Sequence, residues 1–183
     1  MSTTMRERPA FAATGGEAGR HGTAAFVTLT IADQTCGIPV LAVRDILGGQ
    51  VITRIPLAAR EIAGSLNLRG RIVTAIDLRR RLGLPDADAD SVRMSVVAEQ
   101  SGELYALLVD QVSEVLTLSA SAFEANPPTL PPQWSEFSAG IYRLEARLLV
   151  VLDVARLLAL GPASLSPAPQ GHASHGATSH GRV

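Results

Sequence analysis

Lysine is absent from this chain, and all 16 of its basic residues are arginine. Acidic residues number 17, leaving a net charge of −1. No global field therefore steers the protein toward nucleic acid or an anionic membrane. A single cysteine, Cys36, excludes an internal disulfide framework. Aromatic residues make up only 4% of the chain, too few for the stacking platforms of a single-strand-binding barrel. The histidines are His21, His172, His175 and His180, all in Gly-, Ser- and Pro-rich ends. They are read as parts of solvated low-complexity tails, with no preorganised metal or catalytic site. No apolar run reaches the roughly 18 residues of a membrane span. The opening "MSTTMRERPAFAATGGEAGRHG" lacks the apolar stretch of a signal peptide. A cytoplasmic location without direct membrane insertion is the expectation.

What the chain does have is apolar mass, 46% of its residues. That mass is unevenly placed. Residues 1–23 and 161–183 hold too little of it to offset the entropy of ordering, and both are predicted to be disordered tails. The folded domain is predicted over 24–160. Within it, short runs rich in Val, Ile, Leu and Thr alternate with turn residues. "AAFVTLTI", "ADQT" and "CGIPVLAV" read as a strand, a turn and a returning strand. "MSVVAEQSGELYALLV" repeats that hairpin. "RIVTAI" reads as a buried strand. Asp77 follows it as the N-cap of a short helix, "LRRRL", with Leu78 and Leu82 on one face. Gly64 and Gly70 read as structural, granting a turn or a close backbone approach.

An internal duplication organises these pieces. "RGRIVTAIDLRRRLGL" (69–84) aligns without gaps to "EARLLVVLDVARLLAL" (145–160) at an offset of 76. Asp77 falls on Asp153, Arg80 on Arg156 and, at the same offset, Gly64 on Gly140. "VRDIL" (43–47) matches "VSEVL" (112–116) at an offset of 69, and the two hairpins superpose at 69 as well. The extra length lies in the Pro-rich connection "ANPPTLPPQWSEFSAG". The chain thus contains two copies of a unit of about 70 residues. Five or so short strands per copy predict a mainly β fold of two pseudo-repeated, five-stranded small barrels with short helices. A groove between subdomains is a common place for a partner.

Catalytic constellations are missing. Gly48-Gly49 lacks the pattern of a phosphate loop. Asp77 and Asp153 are explained as caps repeated by duplication, and Cys36 as a small buried hydrophobe. No nucleophile, base and orienter can be assembled, so an enzyme and a bound cofactor are not expected. The cluster Arg69, Arg71, Arg79, Arg80 and Arg81 raises the alternative of a small-barrel nucleic-acid binder. The acids and the scarcity of aromatics favour a solvated helix face with one or two partner-binding arginines.

The ordered series "CGIPVLAVRDIL", "ITRIP", "IAGSLNLRGRIVTAIDLR", "ALLVDQVSEVL" and "LLVVLDVARLL" resembles the CheW family of chemotaxis coupling proteins. The resemblance covers about 24–160, nearly all of the predicted fold. It implies a non-enzymatic adaptor that joins the cytoplasmic tips of chemoreceptors to the histidine kinase CheA in signalling arrays. The kinase's regulatory domain would be the partner on one side, and the receptor tip would lie in an apolar groove between two barrels. Carried over by motif, Val43, Val112 and Val115 would line the receptor groove. Asp45, Ile46, Ile52 and Thr53 would face the kinase, and Arg69 would sit near both. The same adaptor role in a type IV pilus or other chemosensory pathway is the alternative within this class. The sequence departs from the family pattern at Ala59, Ser65 and Ala106, where Pro, Val and Gly are usual.

Overall fold

In a computed structural model the described residues are 22–88 and 90–160. The four histidines and both predicted tails lie outside them, apart from Gly22 and Thr23. Among the described residues, eleven strands and three short α-helices follow one another. The first half contains β1 (Thr23–Ile31), β2 (Gln34–Pro39), β3 (Val43–Leu47), β4 (Ile62–Leu68), β5 (Arg71–Asp77) and α1 (Leu78–Arg81). The second half contains β6 (Met94–Gln100), β7 (Glu103–Val109), β8 (Gln111–Ser119), β9 (Phe123–Glu124), α2 (Pro132–Ser135), β10 (Ser138–Arg143), β11 (Leu148–Leu152) and α3 (Val154–Leu158). Apart from β9 and α2, every element of the second half has its counterpart in the first, as the sequence repeat predicts.

The repeats do not each build their own barrel. One sheet has the order β8-β1-β2-β11-β10-β9, and the other β3-β6-β7-β5-β4. Each sheet is completed by the hairpin of the opposite repeat. The exchange is symmetric down to the register. Parallel β5 and β7 pair Thr74 with Tyr105, and parallel β11 and β2 pair Val150 with Cys36. Those are the same positions at offsets of 76 and 69. The antiparallel pairings match too: Val43 lies opposite Ala98, and Val112 opposite Leu29. Both sheets curl. β8 at one edge of its sheet runs through a 3-10 turn into β9 at the other edge. In the second sheet Thr53, beyond β3, bridges Ser65 of β4. This leaves each sheet barrel-like, with its edges protected.

Alternation along the strands divides the core three ways. Leu66, Val73, Ala75, Ala106 and Leu108 fill one barrel, and Phe26, Tyr142, Leu149 and Val151 the other. The remaining and largest cluster takes Leu29 and Ile38 from one sheet, and Ile76 and Leu107 from the other. It joins the barrels face to face. Leu78 and Leu82 of the first capped helix are fully buried in it. Trp134 and Phe137 also enter it, so the Pro-rich connection contributes to the core as well as adding length. The strand "RIVTAI" is not buried throughout. Val73 and Ala75 point into the barrel, while Ile72 and Ile76 lie on the other face, where the shared cluster covers Ile76 and leaves Ile72, near the β4–β5 turn, 73% exposed.

Candidate functional site

Val43 opens β3 and Val112 lies on β8, so the two valines stand on different sheets. Both are half-buried, and both pack against the cluster shared by the barrels. Duplication thus brings the paired motif valines to one seam from opposite sides. Val115 does not join them there. It is 58% exposed, on the outer side of β8. Its counterpart in the first repeat is Ile46, at 39% exposure. A β-bulge precedes each, between Val43 and Asp45 in one pair and between Val27 and Leu29 opposite β8 in the other. The second bulge is filled by the hydroxyl of Thr28, which donates to the Glu114 carbonyl at 2.7 Å and accepts from the Glu114 amide at 3.0 Å. A bulge re-aims the side chains that follow it, which sets Val115 outward.

Asp45, Ile46 and Arg69 form a second group. Arg69 and Gly70 make the two-residue turn between β4 and β5, with φ of 52° and 86°. Positive φ at both central positions is the hairpin geometry that follows the right-handed twist of the strands. The Asn67 carboxamide oxygen fixes the turn by accepting from the Gly70 amide at 2.7 Å. Arg69 is thereby held out from the sheet, its side chain 83% exposed, where Nη2 donates to Asp45 Oδ2 at 3.0 Å. The other Asp45 oxygen accepts from the Ile46 amide at 2.9 Å. An exposed pair of this kind adds little stability, about 0–1 kcal/mol, and leaves most of the guanidinium's donors open to a partner.

Ile52 and Thr53 are separated from that group by their local roles. Ile52 is half-buried against the inner cluster of its own barrel. Thr53 exchanges two backbone hydrogen bonds with Ser65, both 2.8 Å. Gly64 makes this approach possible: a Cβ there would stand 2.2 Å from the Thr53 carbonyl oxygen. Gly140 has the same role opposite β9, where an added Cβ would meet Phe123 and the Glu124 carbonyl.

Of the basic cluster, Arg79, Arg80 and Arg81 are taken up by contacts within the fold. Arg79 grips Asp110 through Nε and Nη2, at 2.7–3.0 Å. Arg80 pairs with Asp86 at 2.9 Å. Arg81 donates to the carbonyls of Arg156, Leu157 and Ala159 at the end of α3, and its guanidinium lies 4.8 Å from the Phe137 ring centroid. A first-repeat helix thus caps a second-repeat helix across the seam. Asp77 and Asp153 are the predicted N-caps, accepting from the amides of Arg80 and Arg156. Their surroundings differ. Asp77 is buried and receives two bonds from Arg93, at 2.6 and 3.0 Å. Burial pushes its carboxyl upward, but the Arg93 and Arg80 contacts outweigh that and hold it below the usual aspartate value. Cys36 is fully buried, and burial pushes its thiol far up, as befits a packing residue.

Sequence reasoning missed a set of bare aliphatic side chains: Leu41 and Val51 at 90% exposure, Leu57 at 104%, Ile72 at 73% and Val92 at 78%. For Ile72 the period-two alternation gave the face but not the exposure, since Ile76 on that face is fully buried. The others lie outside the strands, where no periodicity applies.

Comparison with known proteins bears on the fold and the family. The model of the CheW-like domain matches residues 25–161. A probable chemotaxis protein CheW from Rhizobium etli is 28% identical over 137 residues, 75% of this chain and 88% of that protein. The chemotaxis protein CheW of Klebsiella aerogenes is 32% identical over 133 residues, 73% of this chain and 80% of that protein. Among solved structures, the scaffolding protein TtCheW from Thermoanaerobacter tengcongensis superposes with a TM-score of 0.68 at 26% identity, covering 76% of this chain and 94% of that one.

Proposed function

We propose, from the premise that this chain belongs to the CheW family, that it is a chemotaxis adaptor coupling chemoreceptors to a CheA-like histidine kinase. The role is that of a scaffold, without turnover of its own, at the cytoplasmic side of receptor arrays. The observation that carries the reading is the seam between the exchanged barrels. There Val43 and Val112 are presented from opposite sheets over one apolar cluster, each still half-open to solvent. An amphipathic receptor helix needs such a row of aliphatic holes for its apolar stripe. Val115 extends the receptor face outward along β8.

The kinase face is assigned to Asp45, Ile46, Ile52, Thr53 and Arg69. Ile46 offers an exposed aliphatic anchor beside the Arg69–Asp45 pair, the mixture of apolar centre and charged rim typical of protein interfaces. Arg69, at the tip of its turn, can reach a carboxylate or a carbonyl on either partner.

The test is a pull-down of receptor tip and CheA-like kinase domain from the same organism. Val115→Glu is the receptor-face variant, because at 58% exposure the change leaves the core intact. It should lose receptor binding and keep kinase binding, since docking would desolvate an unpaired carboxylate. Arg69→Glu should lose kinase binding, with Asp45 now facing a like charge. A folded wild type that binds neither partner would overturn the adaptor reading. Folded variants that bind like wild type would overturn the assignment of the faces.

A further inference from the structure

The chain passes between the two sheets twice, and each passage ends at a motif valine. Residues 40–42 carry it from β2 to β3, which opens with Val43. Asp110 carries it from β7 to β8, whose second residue is Val112. The second passage is tied by charge. Asp110 Oδ2 accepts from the Ala32 amide at 2.6 Å, in the turn between β1 and β2, and from Arg79 Nη2 of α1 at 2.7 Å. Arg79 Nε completes a forked pair, 2.9 Å from Oδ1. The Asp110 amide donates to the Thr30 carbonyl at 3.1 Å. Arg93 stands behind them. Its Nε is buried, has no hydrogen-bond partner among the described residues, and lies 4.0 Å from Asp110 Oδ1. One carboxylate thus latches a turn of the first sheet to the helix that follows the second, through a charge-assisted, two-pronged contact.

None of the three charged residues has a charged counterpart in the other copy of the repeat. At an offset of 69, Asp110 falls on Leu41 and Arg93 on Ala24; at an offset of 76, Arg79 falls on Ala155. Leu41 is 90% exposed, in a 3-10 turn without a side-chain cap. The same unit therefore folds elsewhere in this chain without a latch. What the latch does hold is Val112. Before the bulge at Val27/Leu29, β1 and β8 share only two register pairs, Thr30 with Gln111 and Leu29 with Val112. The Val112 amide donates to the Met94 thioether at 3.3 Å, a weak acceptor. The setting of this short segment against the second sheet rests largely on the carboxylate just before it.

The two partner faces need different things from the seam. Asp45, Ile46, Ile52, Thr53 and Arg69 all belong to the second sheet and its connections. The receptor valines Val43 and Val112 come from both sheets. Resting on the reading that the seam receives the receptor helix, we infer that Asp110 and Arg79 are positioning residues for receptor binding. Their pair sets Val112 against Val43, and the kinase face is indifferent to it.

The test is titration of full-chain variants with the receptor tip and with the kinase domain, with the melting temperature of each variant recorded beside. Asp110→Asn keeps the size and a carbonyl for the Ala32 amide but loses the charge that Arg79 grips. It should bind the receptor tip about tenfold more weakly and the kinase domain as wild type does. Arg79→Met should match it. Arg79→Lys, which keeps the charge without the fork, should show a smaller loss, and it carries the test if the stronger changes unfold the chain. Leu149→Ala, in the inner cluster of the first sheet's barrel, is the stability control. It should lower the melting temperature more than Asp110→Asn does and leave receptor affinity level. Folded Asp110 and Arg79 variants with wild-type receptor affinity would overturn the inference and leave the adaptor reading standing. So would equal losses toward both partners, or receptor affinity that simply follows melting temperature across the set. A wild type that binds neither partner would defeat the adaptor reading itself, and the inference with it.

Discussion

Asp77→Ala and Asp153→Ala remove the same cap at duplicated positions, yet the structure sets very different costs on them. Asp153 accepts from the Arg156 amide at 3.1 Å and pairs with the Arg156 side chain at 3.3 Å, with 30% of its own side chain exposed. Its loss is that of an N-cap in partial contact with water, about 1 kcal/mol. The Asp77 side chain is 5% exposed, and Arg93, itself 18% exposed, faces it at 2.6 Å. Removing the carboxylate strips the cap and also orphans a mostly buried guanidinium. Breaking a buried pair costs about 3–5 kcal/mol. Some of that is regained because Arg93 can turn toward Asp110, whose Oδ1 already lies 4.0 Å from Nε. With the cap included, we expect about 3–4 kcal/mol for Asp77→Ala.

Urea titration with linear extrapolation resolves that difference. A second substitution isolates its cause. Arg93→Met on the Asp77→Ala background removes the orphaned charge and should restore about 2 kcal/mol, leaving the cap deficit. The pH profile supplies a separate check. The folded carboxyl of Asp77 lies below its ordinary value, so it contributes stability above the unfolded pKa, lost as pH falls through the folded pKa. The gap between wild type and Asp77→Ala should therefore close as the solution becomes more acidic than about pH 4. Equal losses at Asp77 and Asp153, or no recovery on replacing Arg93, would refute the reasoning.

Three further outcomes follow from the same contacts. Arg81→Ala should cost about 2 kcal/mol in urea unfolding, through hydrogen bonds from a charged donor to three carbonyls at the end of α3; Arg81→Lys, without the planar fork, should recover only part of it. Gly64→Ala should prevent the backbone bridge at Thr53, as a drop in melting temperature or loss of soluble protein, while Ala at Gly70, where nothing lies within 4 Å of an added Cβ, is expected to cost far less. Fragments 22–90 and 91–160, refolded separately, should each fail to give a native β spectrum and should give one when mixed, because each half holds the hairpin that completes the other's sheet; a cooperatively folded half alone would contradict the exchange.

Much of the local structure was legible in the sequence, because it depends on neighbours along the chain. Turn residues between β-branched runs marked the hairpins, Asp before an apolar period marked both caps, and the gap-free match of 69–84 with 145–160 marked the repeat. The motif valines were legible as paired positions for the same reason. What lay beyond reach was which strand edge each hairpin would meet. Pairing a hairpin with its own repeat or with the other satisfies the same local pattern, and only the packing of two sheets around one shared cluster separates the alternatives. That choice decided the finer chemistry. With the hairpins exchanged, the cap of the first repeat faces the chain leading into β6 and finds Arg93. The corresponding position in β1, at the offset of 69, is Ala24, so the cap of the second repeat meets no such cation. Two aspartates that sequence makes equivalent become unequal because tertiary structure gives them different neighbours.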